Sequence, residues 1–175
     1  MTVRPPEPFM AVLISIPVLG GLLILQTTLV SRLPLLQGTA DLLLLAVAAW
    51  SLHKRVETAW QWSIVAGLLV TIASALPMGT AIAGYLLVTA LAILLRQRIW
   101  QAPVLAMFVT IFFGTWITHA ISIVSLRLTG NPLNVADALN LVTLPSLLLN
   151  LLLAVPLYGL IGDLANWLYP EPLEV

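Results

Sequence analysis

Six continuous apolar stretches, each closed by a few polar, proline or glycine residues, run through the 175-residue chain. A bilayer core about 30 Å thick needs about 20 apolar residues, and about 17 to 25 suffice. On that rule the first stretch runs from Phe9 to Val30. It exceeds the apolar part of a secretory leader, so it reads as a retained helix. The second, Thr39 to Leu52, follows a turn at Pro34 and Gly38. It is short, and needs either a thin bilayer or cover from other helices. The third, Thr58 to Leu76, and the fourth, Thr80 to Leu95, are joined by Pro77-Met78-Gly79. So tight a connection forces an antiparallel hairpin.

The fifth stretch runs from Pro103 to Leu128, with proline in the first turn, where its missing N–H costs no hydrogen bond. The sixth runs from Leu144 to Tyr169. Between them, Asn131 can cap a helix with Pro132 at its first position, and Leu133, Ala136, Leu139 and Asn140 follow at three- and four-residue spacing. That pattern predicts a short helix lying at the membrane interface. None of the stretches alternates apolar and polar residues as a membrane barrel requires, so the fold class expected is all-α. Residues 1–175 are expected to form one bundle of six transmembrane helices, with no segment of the roughly 50 residues that a separate soluble domain needs.

Composition agrees: 61% of residues are hydrophobic and 8% charged, too few charges to surface a soluble domain, where about a quarter is usual. Seven basic and seven acidic residues cancel, which gives no footing for nucleic acid. Their placement is more informative. With the N-terminus in the cytoplasm, Arg4, Lys54, Arg55, Arg96 and Arg98 fall inside and only Arg32 and Arg127 outside, so both termini are expected to be cytoplasmic. Trp50, Trp60, Trp62, Trp100 and Trp167 fall at the proposed cytoplasmic ends and read as anchors at the headgroup level, while Trp116 falls mid-span. The absence of cysteine removes disulfides, thiolate metal sites and cysteine nucleophiles.

Ionisable groups within a membrane are costly and mark functional candidates. Asp41 opens the second helix, where a carboxylate also serves as an ordinary cap. His119 lies in the outer half of the fifth, among Thr115, Thr118 and Ser122, and can bond to a neighbouring hydroxyl or take part in a relay with Asp41. Asp163, near the inner end of the sixth, is expected to be solvated or paired with Arg96 or Arg98. His53 and His119 fall on opposite sides of the membrane and cannot share a metal, and no metalloprotease, serine-hydrolase or phosphate-loop spacing occurs. No enzyme activity, cofactor or metal is expected. Pro17 and Pro156 mark kinks expected to be buried against other helices. Gly20-Gly21, Gly67, Gly84, Gly114 and the pair Gly159 and Gly162 mark close helix contacts.

The order of local motifs resembles the rod shape-determining protein MreD family. The residues carrying the resemblance are Leu25-Gln26-Thr27-Thr28-Leu29 at the end of the first span, Leu33-Pro34-Leu35 in the turn, and Asp41-Leu42-Leu43-Leu44 opening the second span. Gly67-Leu68-Leu69, Pro77-Met78-Gly79 and Leu144-Pro145-Ser146-Leu147 continue it over nearly all of the chain. Ala40 stands where the family usually has proline, and Thr71 where an aspartate often follows the Gly-Leu-Leu stretch. The resemblance implies a non-catalytic, multi-pass subunit of the inner (cytoplasmic) membrane. Such a subunit binds MreC, and through it MreB, RodA and a class B penicillin-binding protein, to position lateral peptidoglycan synthesis. The rival expectation is the substrate-binding subunit of an energy-coupling-factor vitamin transporter, which such proteins resemble in length and helix count. Its polar pocket would draw on Asp41, His119, Asn134, Asn140 and Asn150.

Overall fold

The computed structural model describes residues 8–28, 37–99, 101–131 and 134–170. The expectations resting on Arg4, Arg32, Leu33-Pro34-Leu35, Trp100, Pro132 and Leu133 lie outside them. Among the described residues the chain is helical throughout. The order is α1 (Pro8–Thr28), α2 (Leu42–Leu52), α3 (Ala59–Ala73), α4 (Thr80–Arg98), α5 (Pro103–Leu128), α6 (Val135–Asp137), a π-helical segment (Ala138–Thr143) and α7 (Leu144–Leu168). Four helices are long and apolar enough to cross a membrane: α1, α4, α5 and the continuous run Val135–Leu168. Two shorter apolar helices, α2 and α3, accompany them.

The short α2 is the axis of the bundle. Every residue from Leu42 to Leu52 is buried, and the helix packs against α1, α3, α4, α5 and α7. A helix apolar all round has no face to give to water, so enclosure by other helices is the arrangement its composition demands. Of the two ways to accommodate so short a stretch, protein cover is the one found.

Next, α3 and α4 form the expected antiparallel hairpin. Its turn ends at Gly79, whose φ of 88° is left-handed, and Thr80 N–H donates to Pro77 O at 3.1 Å. Gly67 lets α3 approach so closely that a Cβ there would lie 2.6 Å from Ile82 Cα. Gly84 and Gly114 lie against Thr118 and Val88 across the α4–α5 contact. A cluster of hydroxyls, Ser51, Ser63 and Thr89, ties α2, α3 and α4 together, with Ser63 and Thr89 directly hydrogen-bonded.

One end of the bundle carries Lys54, Arg55, Arg96 and Arg98. Arg96 donates to the carbonyls of His53 (2.7 Å) and Val56 (3.2 Å), and Arg55 to that of Tyr169 (3.1 Å), satisfying groups that helix ends leave free. We call this the basic end.

Several expectations are corrected here. Trp50 and Trp62 are fully buried and stack with ring centroids 4.0 Å apart, and their indole N–H groups donate to Thr58 Oγ1 and Ala11 O. They are core residues because α2 is enclosed; only Trp60 and Trp167 of the expected anchors are exposed among the described residues. Pro17 and Pro156 face outward instead of into helix contacts. Gly20, Gly21 and Gly159 have no neighbour within 4 Å of an added Cβ, whereas Gly162 approaches His53. The inward side of α7 runs through Ala154, Leu157, Ile161, Gly162 and Ala165, and Gly159 is off it. Finally, the segment before the sixth span is no separate helix. It is capped by Asn134, not Asn131, and runs straight into α7.

Candidate functional site

The end of the bundle opposite the basic end holds a polar seam, and its origin lies in Pro145. Proline cannot donate to the carbonyl four residues back, and its ring crowds that carbonyl. Leu141 O is therefore left without its helical partner, and the chain just before Pro145 widens into the π-helical segment Ala138–Thr143. The freed Leu141 carbonyl is taken by Gln37 N–H at 3.1 Å.

From there the segment leading to α2 lies along α7. Thr39 N–H donates to Ser146 Oγ (3.0 Å) and Asp41 N–H to Asn150 Oδ1 (2.7 Å). Alternate residues 37, 39 and 41 thus present their amides to one side, as an extended chain does. They meet acceptors at 141, 146 and 150, the last two one helical turn apart on α7. Gly38 permits the approach: a Cβ there would lie 2.6 Å from Ser146 N and 2.7 Å from Pro145 Cβ.

The start of α2 is then closed from two directions. Asp41 caps it, Oδ1 accepting from Leu44 N–H at 2.9 Å, and Gln26 on α1 accepts from Leu42 N–H through Oε1 at 2.8 Å. Tyr85 on α4 donates to the Asp41 carboxylate, its OH lying 2.8 Å from Oδ2 and 3.0 Å from Oδ1. Asn150 passes the connection on to α5, its Nδ2 donating to Thr115 Oγ1 at 3.0 Å. Five helices, α1, α2, α4, α5 and α7, converge on these few side chains.

His119 is beside the seam but bonded elsewhere. Its Nδ1 is 3.0 Å from Thr143 Oγ1, a hydrogen bond in which either group can donate according to the tautomer, and the same hydroxyl lies 3.2 Å from Ala138 O. Asp41 and His119 share a pocket of about 140 Å³ with Thr80, Tyr85, Thr118 and Ser122, yet no hydrogen bond joins them.

The remaining candidates are scattered. Asp163 is exposed on α7, and Arg96 is engaged with carbonyls instead of a carboxylate. Gly162 lies at the basic end against His53. Asn134 caps α6 and Asn140 is exposed, both away from the pocket. No group of three His, Asp or Glu side chains able to hold a metal occurs among the described residues.

Tyr85 was the residue that sequence reasoning passed over. The available signal was a phenol within an apolar span, since a buried tyrosine OH needs a partner and Asp41 was the nearest candidate acceptor. Compared with known families, curated proteins and solved structures, the chain matches none of them.

Proposed function

We propose that this chain is a non-catalytic membrane scaffold of the MreD type, crossing the inner membrane six times with both termini in the cytoplasm. It binds MreC, and through it helps to position the lateral peptidoglycan synthesis carried out by RodA and a class B penicillin-binding protein along MreB filaments. The observation that carries this reading is the convergence of motif residues. Gln26, Asp41 and Ser146 belong to three separate stretches on which the resemblance rests, and they meet in the one polar seam. Their hydrogen bonds go to backbone amides of the same segment, a use that fixes helix positions and leaves the lateral faces for partners.

The orientation rests on the basic end facing the cytoplasm, as the loop-charge rule requires. Lys54, Arg55, Arg96 and Arg98 all lie there.

One observation favours the solute-carrier reading, namely that Asp41 and His119 line a common pocket. Its size and chemistry argue against it. About 140 Å³ is well below the roughly 300–1,000 Å³ of small-molecule sites. The carboxylate in it is already occupied by Tyr85 and Leu44.

A pulldown of the tagged chain from its native membrane in gentle detergent separates the two. The expected result is stoichiometric recovery of MreC, with or without RodA and its penicillin-binding partner. Recovery of a coupling transmembrane protein with paired ATPases overturns the scaffold reading.

A further inference from the structure

The pocket shared by Asp41 and His119 is too small for an organic solute, yet its volume of about 140 Å³ is several times the roughly 10–15 Å³ that one water needs. Its floor lies deep in the bundle. Tyr85 is eleven residues along α4 from Arg96 at the basic end, roughly 16 Å of helix rise and close to halfway through a core about 30 Å thick. From Tyr85 the cavity extends past Ala81 and Thr80 to Leu76, at the turn that joins α3 to α4. It therefore leads from the end opposite the basic end into the membrane interior.

The polar groups along it are mostly acceptors. Thr118 donates its hydroxyl proton to Gly114 O at 3.0 Å and Ser122 to Thr118 O at 2.8 Å, so each oxygen has only lone pairs left to offer. A carboxylate has about four lone-pair positions on its two oxygens. At Asp41, Oδ1 accepts from Leu44 N–H and Tyr85, but Oδ2 accepts from Tyr85 alone. Asp41, Thr118, His119 and Ser122 each keep part of their surface exposed. No Lys or Arg is among the described residues lining the cavity.

A charged group inside a membrane pairs with another charge or faces a water-filled cavity. Asp41 has the cavity and no cationic side chain in it. Val70, Leu76 and Ala81 wall the space with apolar groups, and walls of low dielectric focus the field of a single carboxylate along a cleft.

From this we infer that the cavity is a water-filled vestibule, open at the end opposite the basic end, which concentrates small monovalent cations of the size of sodium or ammonium near the Asp41 carboxylate. The lining oxygens suit such an ion, and the volume leaves room for most of its water. The inference needs the bundle to sit in a bilayer. It does not depend on the scaffold reading, so this test and the pulldown can fail separately.

The chain contains no cysteine, so single cysteines report accessibility without background. The test places Ser122→Cys, Asn131→Cys or Phe113→Cys in the full chain in nanodiscs; Asn131 is exposed beyond α5 and Phe113 on its outer side. Each is treated with cationic 2-aminoethyl or anionic 2-sulfonatoethyl methanethiosulfonate, reagents that need a thiolate and hence water at the thiol. Ser122→Cys is expected to react and Phe113→Cys not to. The cationic-to-anionic rate ratio at Ser122→Cys should exceed that at Asn131→Cys by at least about tenfold, the lower end of focusing in a cleft of one sign. Adding Asp41→Asn should return the ratio to the Asn131→Cys value, with tryptophan fluorescence confirming the fold. Sodium chloride should slow the cationic reagent at Ser122→Cys relative to choline chloride at equal ionic strength, a readout that leaves Asp41 in place. A Ser122→Cys protein as unreactive as Phe113→Cys means a dry cavity and overturns the inference. A ratio no higher than at Asn131→Cys, one that survives Asp41→Asn, or equal rates in sodium and choline overturns it as well.

Discussion

Tyr85 and Asp41, 44 residues apart in sequence, meet as a phenol donating to both oxygens of a carboxylate, at 2.8 and 3.0 Å. The same carboxylate caps α2, so a single contact ties α4 to the start of the helix at the centre of the bundle. Hydrogen bonds to charged groups contribute about 1.5–3 kcal/mol, more than neutral pairs.

Tyr85→Phe removes this donor and leaves the carboxylate with less compensation for its burial. A loss of about 1–3 kcal/mol is expected, read by denaturant titration in mixed micelles with tryptophan fluorescence. Asp41→Asn keeps a good capping oxygen and an acceptor for Tyr85, so its loss should be smaller. The reverse order would show that charge, not the cap, dominates at this position.

Asn150 serves two helices at once, accepting from Asp41 N–H and donating to Thr115 Oγ1. Asn150→Leu should therefore cost about 1–3 kcal/mol. Thr115→Val removes the acceptor of the second bond alone and should cost less. Combining the two should fall short of the sum by at least about 0.5 kcal/mol, because they share one bond. Full additivity in the four-variant cycle would mean that the bond contributes nothing.

Glycine positions divide by what faces them. Gly67→Ala drives a Cβ to within 2.6 Å of Ile82 Cα, a backbone atom that cannot swing aside, and overpacking of this kind costs about 1–3 kcal/mol. Gly159→Ala meets nothing within 4 Å and replaces a poor helix former by the best one. Unfolding midpoints of the two variants should move in opposite directions. A Gly159→Ala protein that unfolds as early as Gly67→Ala would disprove the assignment of an outward-facing Gly159.

Burial, and then the nearby Arg55 charge, push the His53 imidazolium below its ordinary value of 6.5. The unfolded chain consequently binds the proton first, and between those two values it holds more protons than the folded one. The stability due to neutral His53 is complete above pH 6.5 and declines as pH falls through that window. Wild type minus His53→Gln, measured at about pH 7.5 and about pH 5, should shrink at the lower pH. A difference independent of pH would place His53 in water in the folded state.

The residue order alone determined the helices and their approximate limits. Apolar run length fixed the long spans, and Pro77-Met78-Gly79 and Pro103 fixed the hairpin and the start of α5, because these are local steric rules read within a few residues. Asp41 as a cap was legible for the same reason. Which face of each helix would be covered was not legible. In so apolar a chain the faces turned to lipid and to protein share one composition, so periodicity could not show that Trp50 and Trp62 are core or that Gly159 and Pro156 face outward. Tertiary structure also decided the seam. Its bonds join residues up to 109 positions apart, and they follow from the carbonyl that Pro145 frees and the segment that Gly38 allows to lie against it. Local chemistry set the parts, and close packing around a buried α2 set their partners.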